Sequence, residues 1–270
     1  MEIPIVRQGH PMTGLALMLC VVTGCFSDTR YKQGTGDKPS QVTSINSGPL
    51  IGSQGLVTRI DTRTVQSKVF ETSDLPQALV LSVHGKCEFS TNHTSFAVLK
   101  AGQVFLEGAV IRTGEGARAD LFFRRIGTTV RLQADTEIGL AKMTRIMNGS
   151  TPVFETLLDV RAGRIFTVVR SLVAGSTLEI KNAAGRAVVE GGGGKGRYII
   201  TADGTHVTDK NSAVPLKVIG ETGVTIITPG QRFSAKDGKV FSLNPSDAVQ
   251  ELIHFDELDA LTEQLMPPEK

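Results

Sequence analysis

From Ala78 onward the chain breaks into short runs rich in Val, Ile, Phe and Thr, with Gly and Asn between them. The first series is Leu79-Val80-Leu81-Ser82-Val83, Ser95-Phe96-Ala97-Val98-Leu99, Ala119-Asp120-Leu121-Phe122-Phe123, Thr128-Thr129-Val130-Arg131-Leu132 and Thr136-Glu137-Ile138-Gly139-Leu140. The second is Arg164-Ile165-Phe166-Thr167-Val168-Val169, Thr177-Leu178-Glu179-Ile180, Arg197-Tyr198-Ile199-Ile200-Thr201, Leu216-Lys217-Val218-Ile219 and Val224-Thr225-Ile226-Ile227. β-branched and aromatic residues suit a pleated surface, and Gly and Asn supply the turns. Many short strands at fairly even spacing predict an all-β sandwich or β-roll. Period-two placement beside the Gly turns points Leu99, Phe105, Leu121, Phe123, Val130, Leu132, Ile165, Phe166, Leu178, Ile180, Ile199 and Phe233 inward.

A small internal echo supports this. Leu99-Lys100-Ala101-Gly102-Gln103-Val104-Phe105 returns as Val160-Arg161-Ala162-Gly163-Arg164-Ile165-Phe166 and again as Ile227-Thr228-Pro229-Gly230-Gln231-Arg232-Phe233. The shared form reads as a strand, a turn that needs Gly, then a strand with an inward Phe. The copies stand too far apart for a solenoid repeat, and they read as equivalent corners of one architecture.

The N-terminus is of another kind. Met12, Leu15 to Leu19, Val21 and Val22 form a short apolar run behind Arg7 and His10, and Val22-Thr23-Gly24-Cys25 closes it. The run is too short to cross a bilayer, which takes ~20 apolar residues. Apolar–small–small–Cys is how a bacterial lipoprotein signal ends, so residues 1–24 are expected to be removed and Cys25 to be lipidated. Phe26 follows, where Asp usually marks retention at the inner membrane, so the expected address is the outer membrane, on its periplasmic or surface face. Residues 25–77 are polar and Gly/Ser/Thr/Pro-rich, and they read as a flexible tether with a random-coil reach of about 40 Å. Leu56 to Phe70 alternates at Val57, Ile60, Val65 and Val69 and can pack as an early strand.

The β region is expected over 78–243 and a C-terminal helix and tail over 244–270. Asn244-Pro245-Ser246-Asp247 is a turn and N-cap signal. Val249, Leu252, Ile253, Leu258, Leu261 and Leu265 then recur at rough helical spacing, with Glu251, Asp256, Glu257, Asp259 and Glu263 as an acidic face. The expectation is a short amphipathic helix packed on the sheet.

The order Leu99-x-x-Gly102, Glu107-Gly108-x-x-Ile111-Arg112-Thr113-Gly114-Glu115-Gly116-Ala117-Arg118-Ala119-x-Leu121, Gly127-x-x-Val130-Arg131-Leu132 resembles the FecR domain. Leu158-x-Val160-x-x-Gly163-Arg164-Ile165 and Gly175-Ser176-Thr177-Leu178-Glu179-Ile180 continue it, so the resemblance spans Ala78 to Leu243. It departs at Val188-Val189-Glu190-Gly191, where the family carries Val-Arg-Gly-Thr. The resemblance implies a periplasmic all-β domain. Its founding members relay siderophore-transporter occupancy to a sigma factor, through a transmembrane segment and an anti-sigma bundle. The apolar run ending at Cys25 reads as a lipid anchor in place of that span.

No cofactor, metal or catalytic set is expected. Gly191 to Gly196 fails the phosphate-loop pattern, since Val189 and Gly196 stand where Gly and Ser/Thr are required, and it reads as a flexible hairpin loop. His84, His93, His206 and His254 lack metal-ligand spacing. Cys87, alone once Cys20 leaves with the signal and Cys25 is lipidated, reads as a buried thiol. A formal charge of +2 without a dense basic run does not suit nucleic acid. The candidate interaction residues are Arg112 and Thr113 in the family-like turn and Arg124 and Arg125 beside Phe122 and Phe123. The function these readings favour is a non-enzymatic, lipid-anchored binding or scaffold module of the cell envelope. Its membrane contact is the lipid on Cys25, and its partner is an envelope protein or polysaccharide. The alternatives are a FecR-type signalling component working with a separate membrane protein, and a hydrolase whose site only folding assembles.

Overall fold

The computed structural model describes residues 58–59, 75–221 and 223–265, with backbone alone over 58–59 and 245–252. In chain order the strands are β1 (Thr58–Arg59), β2 (Ala78–His84), β3 (Cys87–Ser90), β4 (Ala97–Val98), β5 (Val104–Phe105), β6 (Val110–Thr113), β7 (Arg118–Phe123), β8 (Thr128–Leu132), β9 (Glu137–Asn148) and β10 (Thr151–Ala162). They continue as β11 (Arg164–Val169), β12 (Thr177–Asn182), β13 (Gly185–Glu190), β14 (Gly196–Thr201), β15 (Thr205–Thr208), β16 (Leu216–Gly220), β17 (Gly223–Ile227), β18 (Gln231–Ser234) and β19 (Lys239–Ser242). A C-terminal helix, α1 (Pro245–Leu265), follows. The all-β expectation and the C-terminal helix are both met. Within the stretch expected as an early strand, Thr58 and Arg59 form β1 and pair with Val83 and Ser82 of β2, while Val57, Ile60, Val65 and Val69 lie outside the described residues. Cys25 and the rest of the tether up to residue 74 lie outside the described residues.

The strands form two sheets. The first runs β1-β2-β7-β8-β11-β14-β15-β18-β19 with β5 also on β2, and the second runs β17-β16-β13-β12-β10-β9-β6-β3-β4. Apart from β4 and β5, both orders follow the sequence. The chain therefore lays down one or two strands, crosses to the other sheet, and advances in one direction along the sandwich. Pairing among the described strands is antiparallel except for β10 with β12, which is parallel.

The three echoed corners are three crossings from the second sheet to the first: β4 to β5, β10 to β11, and β17 to β18. Gly102, Gly163 and Gly230 sit there at φ 86°, 73° and 80°, where an L side chain is strained. The Gln at two of the corners closes its turn from the side chain. Gln103 Oε1 accepts from Lys100 N–H at 2.8 Å, and Gln231 Oε1 accepts from Thr228 N–H at 3.0 Å. The middle corner has Arg164 in place of Gln and is tied instead to β9's approach, Thr136 Oγ1 accepting from Arg164 N–H at 3.0 Å.

The core between the sheets holds ten of the twelve residues expected to point inward, with Phe233 at its margin. Phe166 and Ile199 are corrections: they are buried on the opposite face of the first sheet. Neighbouring strand residues point to opposite sides, so Ile165 and Phe166 cannot both enter one core. The first sheet is in fact buried on both faces. Leu79, Leu81 and Phe122, and farther along Phe166, Val168, Ile199 and Val207, make an outer apolar surface that Phe255, Leu258 and Leu265 of α1 cover. Unbroken apolar runs such as Leu79-Val80-Leu81 are the sequence trace of that double burial.

The second sheet turns a different face to solvent. Cross-strand pairs line it: Arg112 with Glu88 at 2.8 Å, Lys142 with Glu155 at 2.5 Å, Arg186 with Glu179 at 3.0 Å and Lys217 with Glu190 at 3.3 Å. Each exposed pair contributes at most about 1 kcal/mol. Together they keep this face wet while the other is covered.

Candidate functional site

The densest concentration of charge lies beneath α1. On β7 and β8, Asp120 and Arg131 stand directly opposite each other on the outer face of the first sheet. Both are almost fully enclosed, at 2% and 1% exposure. The guanidinium binds the carboxylate through two nitrogens, Nε to Oδ1 at 2.7 Å and Nη2 to Oδ2 at 3.1 Å. Ser82 donates to the same carboxylate at 2.7 Å. From the helix, Glu257 accepts from Arg131 Nη1 at 2.5 Å. Burial disfavours the arginine's charge, but Asp120 and Glu257 outweigh it and hold the group more firmly protonated than usual.

A second arginine repeats the device. Arg197 on β14 binds Asp259 and, at 3.3 Å, Asp256, both from α1, and Asp209 lies 3.8 Å away. Lys195, at the end of the Gly-rich loop, reaches Asp259 at 2.7 Å. His254 stands beside the Arg131 set. Its ring centroid is 4.8 Å from that of Phe166, and its Nδ1 is 3.4 Å from Arg131 Nη1. Burial and then the neighbouring Arg131 push its pKa below the ordinary histidine value.

The helix therefore departs from the expected amphipathic pattern. Asp259 points at the sheet rather than at water, Glu257 reaches Arg131 from a half-exposed position, and Ile253, counted in the apolar stripe, is 62% exposed. A helix can bring carboxylates to a packing face only where buried cations await them, because an unpaired buried charge costs several kcal/mol. Arg131 and Arg197 are those cations. The residues that mark this interface sit inside strand runs, Asp120 between Ala119 and Leu121 and Arg131 between Val130 and Leu132. That interruption was the only signal of it in the sequence.

The candidate interaction residues fall in different places. Arg112 pairs with Glu88 and lies 3.6 Å over the ring of Phe96. Glu88 in turn is held below the usual carboxylate range, first by that hydrogen bond. Thr113, next in β6, is buried and structural: its hydroxyl donates to Gln133 O at 2.5 Å and accepts from Thr136 N–H at 3.0 Å. Arg124 and Arg125 stand on a short 3-10 turn between β7 and β8, on the other sheet. The Gly191–Gly196 segment is another correction. It is no hairpin loop but a crossing from β13 to β14, fastened by Gly191 N–H to Ser176 O at 2.9 Å and Gly192 N–H to Leu172 O at 2.8 Å.

Among the described residues no group of three His, Cys, Asp or Glu stands close enough to hold a metal ion. A groove of about 420 Å³ opens beside β5, lined by Phe89, Phe105 and Leu106 with Gln103 and Glu107. The Glu107 carboxylate is engaged there, accepting from Met143 N–H at 2.8 Å.

No family model and no curated protein matches the chain. Two crystal structures of an anti-sigma factor candidate from Parabacteroides distasonis ATCC 8503 are similar to it, at 14% identity and a TM-score of 0.36. The match covers 50% of this chain and 59% of that one.

Proposed function

We propose that the chain is an exported, lipid-anchored module of the cell envelope whose β-sandwich binds a protein or a surface polymer rather than transforming a substrate. The observation that carries this reading is where the buried charge goes. Asp120, Arg131, Glu257, Arg197 and Asp259 satisfy one another and fasten a helix across the sheet. Groups spent in this way stabilise a scaffold. A general base or nucleophile instead needs a reactive atom left facing its substrate. The anchor follows from the Val22-Thr23-Gly24-Cys25 sequence, and the polar stretch behind it gives the domain room to reach a partner.

The test is metabolic palmitate labelling with detergent partitioning of Cys25→Ser and Cys20→Ser. Label lost in the first and kept in the second supports the anchor. Label retained in Cys25→Ser, or absent from the wild type, removes it. Turnover of glycan, ester or peptide substrates that disappears on changing one Asp, Glu, Ser or His would overturn the binding reading.

A further inference from the structure

Beside the row that holds Ser82, Asp120 and Arg131, the outer face of the first sheet carries a second polar row. Ala119 and Ile165 stand on either side of Leu132, so Arg118, Gln133 and Arg164 fall side by side in the next position, and Gln133 N–H donates to Arg164 O at 3.1 Å. His84 of β2 stands opposite Arg118 of β7. Side chains alternate along a strand, so these residues share the face of Asp120, Arg131 and Phe166. In keeping with that, Arg164 has its guanidinium carbon 4.8 Å from the Phe166 ring centre. Neighbouring strands lie about 4.8 Å apart, which sets His84, Arg118 and Gln133 within reach of one small ligand.

The row holds donors that the fold leaves without acceptors. His84 Nδ1, Arg118 Nε and Gln133 Nε2 are each shielded from water and have no hydrogen-bond partner among the described residues. The last two can only donate, and His84 Nδ1 joins them in the tautomer that carries its proton there. An unmade bond at a buried donor costs about 1–3 kcal/mol. A single such atom is a local defect; three neighbours in one row fit one acceptor that serves them all. Arg118 is the middle member and the movable one. Its side chain is 33% exposed, and its nearest carboxylate, Glu257, stays 3.8 Å away because it is bonded to Arg131. Swinging Arg118 toward solvent admits a ligand between His84 and Gln133.

We propose that His84, Arg118 and Gln133 form a binding site for a phosphate group, presented by a lipid headgroup or as the free ion. A tetrahedral phosphate accepts at once from groups that approach from different strands, and the arginine fork matches its oxygens. A neutral hydroxyl or carbonyl would leave the Arg118 charge to Glu257, which already serves Arg131. The inference goes beyond the envelope reading and stands without it, since loss of the lipid on Cys25 leaves this row intact.

The test titrates inorganic phosphate into the full chain and follows the Arg118 Nε–H and Gln133 side-chain amide signals by NMR. Both should shift saturably. Arg118→Gln should weaken binding about tenfold or more, while Arg124→Gln, the same charge change beyond the far end of β7, should keep it within about twofold. Gln133→Glu supplies the missing acceptor from the chain itself, so it should abolish phosphate binding and raise the melting temperature. Sedimentation of the Cys25→Ser chain with phosphatidylglycerol vesicles separates the sources. Vesicle binding lost in Gln133→Glu assigns the site to a headgroup, and binding of inorganic phosphate alone assigns it to the free ion. No shift and no vesicle binding, equal binding by Gln133→Glu, or equal losses in Arg118→Gln and Arg124→Gln would each overturn the proposal.

Discussion

Asn182 donates from Nδ2 to Nε2 of His206 across 3.0 Å, at the end of the sandwich where β12 and β15 face each other. The direction of that bond is fixed by the rest of the amide. Its Oδ1 accepts from Ala184 N–H at 3.0 Å, and Nδ2 also donates to Thr201 O at 2.9 Å. The His206 ring must therefore offer a lone pair at Nε2 and stay neutral. Burial works the same way and pushes its pKa down to about 4.

Acid should accordingly weaken this fold well above the carboxylate range. Between pH 6.5 and 4 the unfolded chain binds a proton at His206 that the folded chain refuses, so stability falls as pH falls through that window. The linkage amounts to about 2 kcal/mol by pH 5. His254, shifted in the same direction, adds to it. Urea denaturation at pH 7 and pH 5 measures the loss, and His206→Gln should shrink the difference by about that amount. An equal difference in the variant would remove His206 as its source.

Asp120 and Arg131 should show strong non-additivity. Arg131→Leu alone leaves a buried carboxylate with the Ser82 hydroxyl in place of a cation and should cost about 3–5 kcal/mol. Asp120→Leu alone leaves the guanidinium with Glu257 as its carboxylate partner and should cost less, about 2–3 kcal/mol. The double variant removes both charges and should cost much less than the sum of the two, since a buried ion pair contributes little net stability over apolar residues of similar size. A double-mutant cycle in denaturant reads the coupling directly, and additive costs would contradict the buried pairing.

The corner at Gly163 should tolerate no side chain. Its φ is +73°, and an added Cβ would lie 2.6 Å from Asp135 O. Gly163→Ala should destabilise by about 3 kcal/mol, from the left-handed backbone and the clash together. Gly149, at φ +62° with open space around it, isolates the backbone part, and Gly149→Ala should cost only about 1 kcal/mol. Thermal melts of the two variants distinguish the contributions.

Cys87 should be inert in the folded protein. Its Sγ lies 3.6 Å from the carbonyl oxygens of His84 and Arg118, and burial raises its pKa to about 11. Iodoacetamide at pH 8 should leave the Cys87 peptide unmodified until denaturant is added, as mass spectrometry of the digest would show. Rapid native alkylation would mean that this thiol reaches solvent.

The sequence by itself determined everything that depends on near neighbours. Alternation and Gly-bounded runs set the strands, the Leu99–Phe105 echo marked the corners, and Asn244-Pro245-Ser246-Asp247 placed the start of α1, because turns, caps and period two are local physics. What only the tertiary structure decided is which side of a strand counts as inside. Phe166 and Ile199 alternate as faithfully as Ile165 and Ile200, yet they face a helix some ninety residues from the first of them and under sixty from the second. Whether Asp259 meets water or arginine is settled by strands that meet the helix only in the folded state. A pattern of period two fixes that two faces exist; long-range packing alone determines what each of them meets.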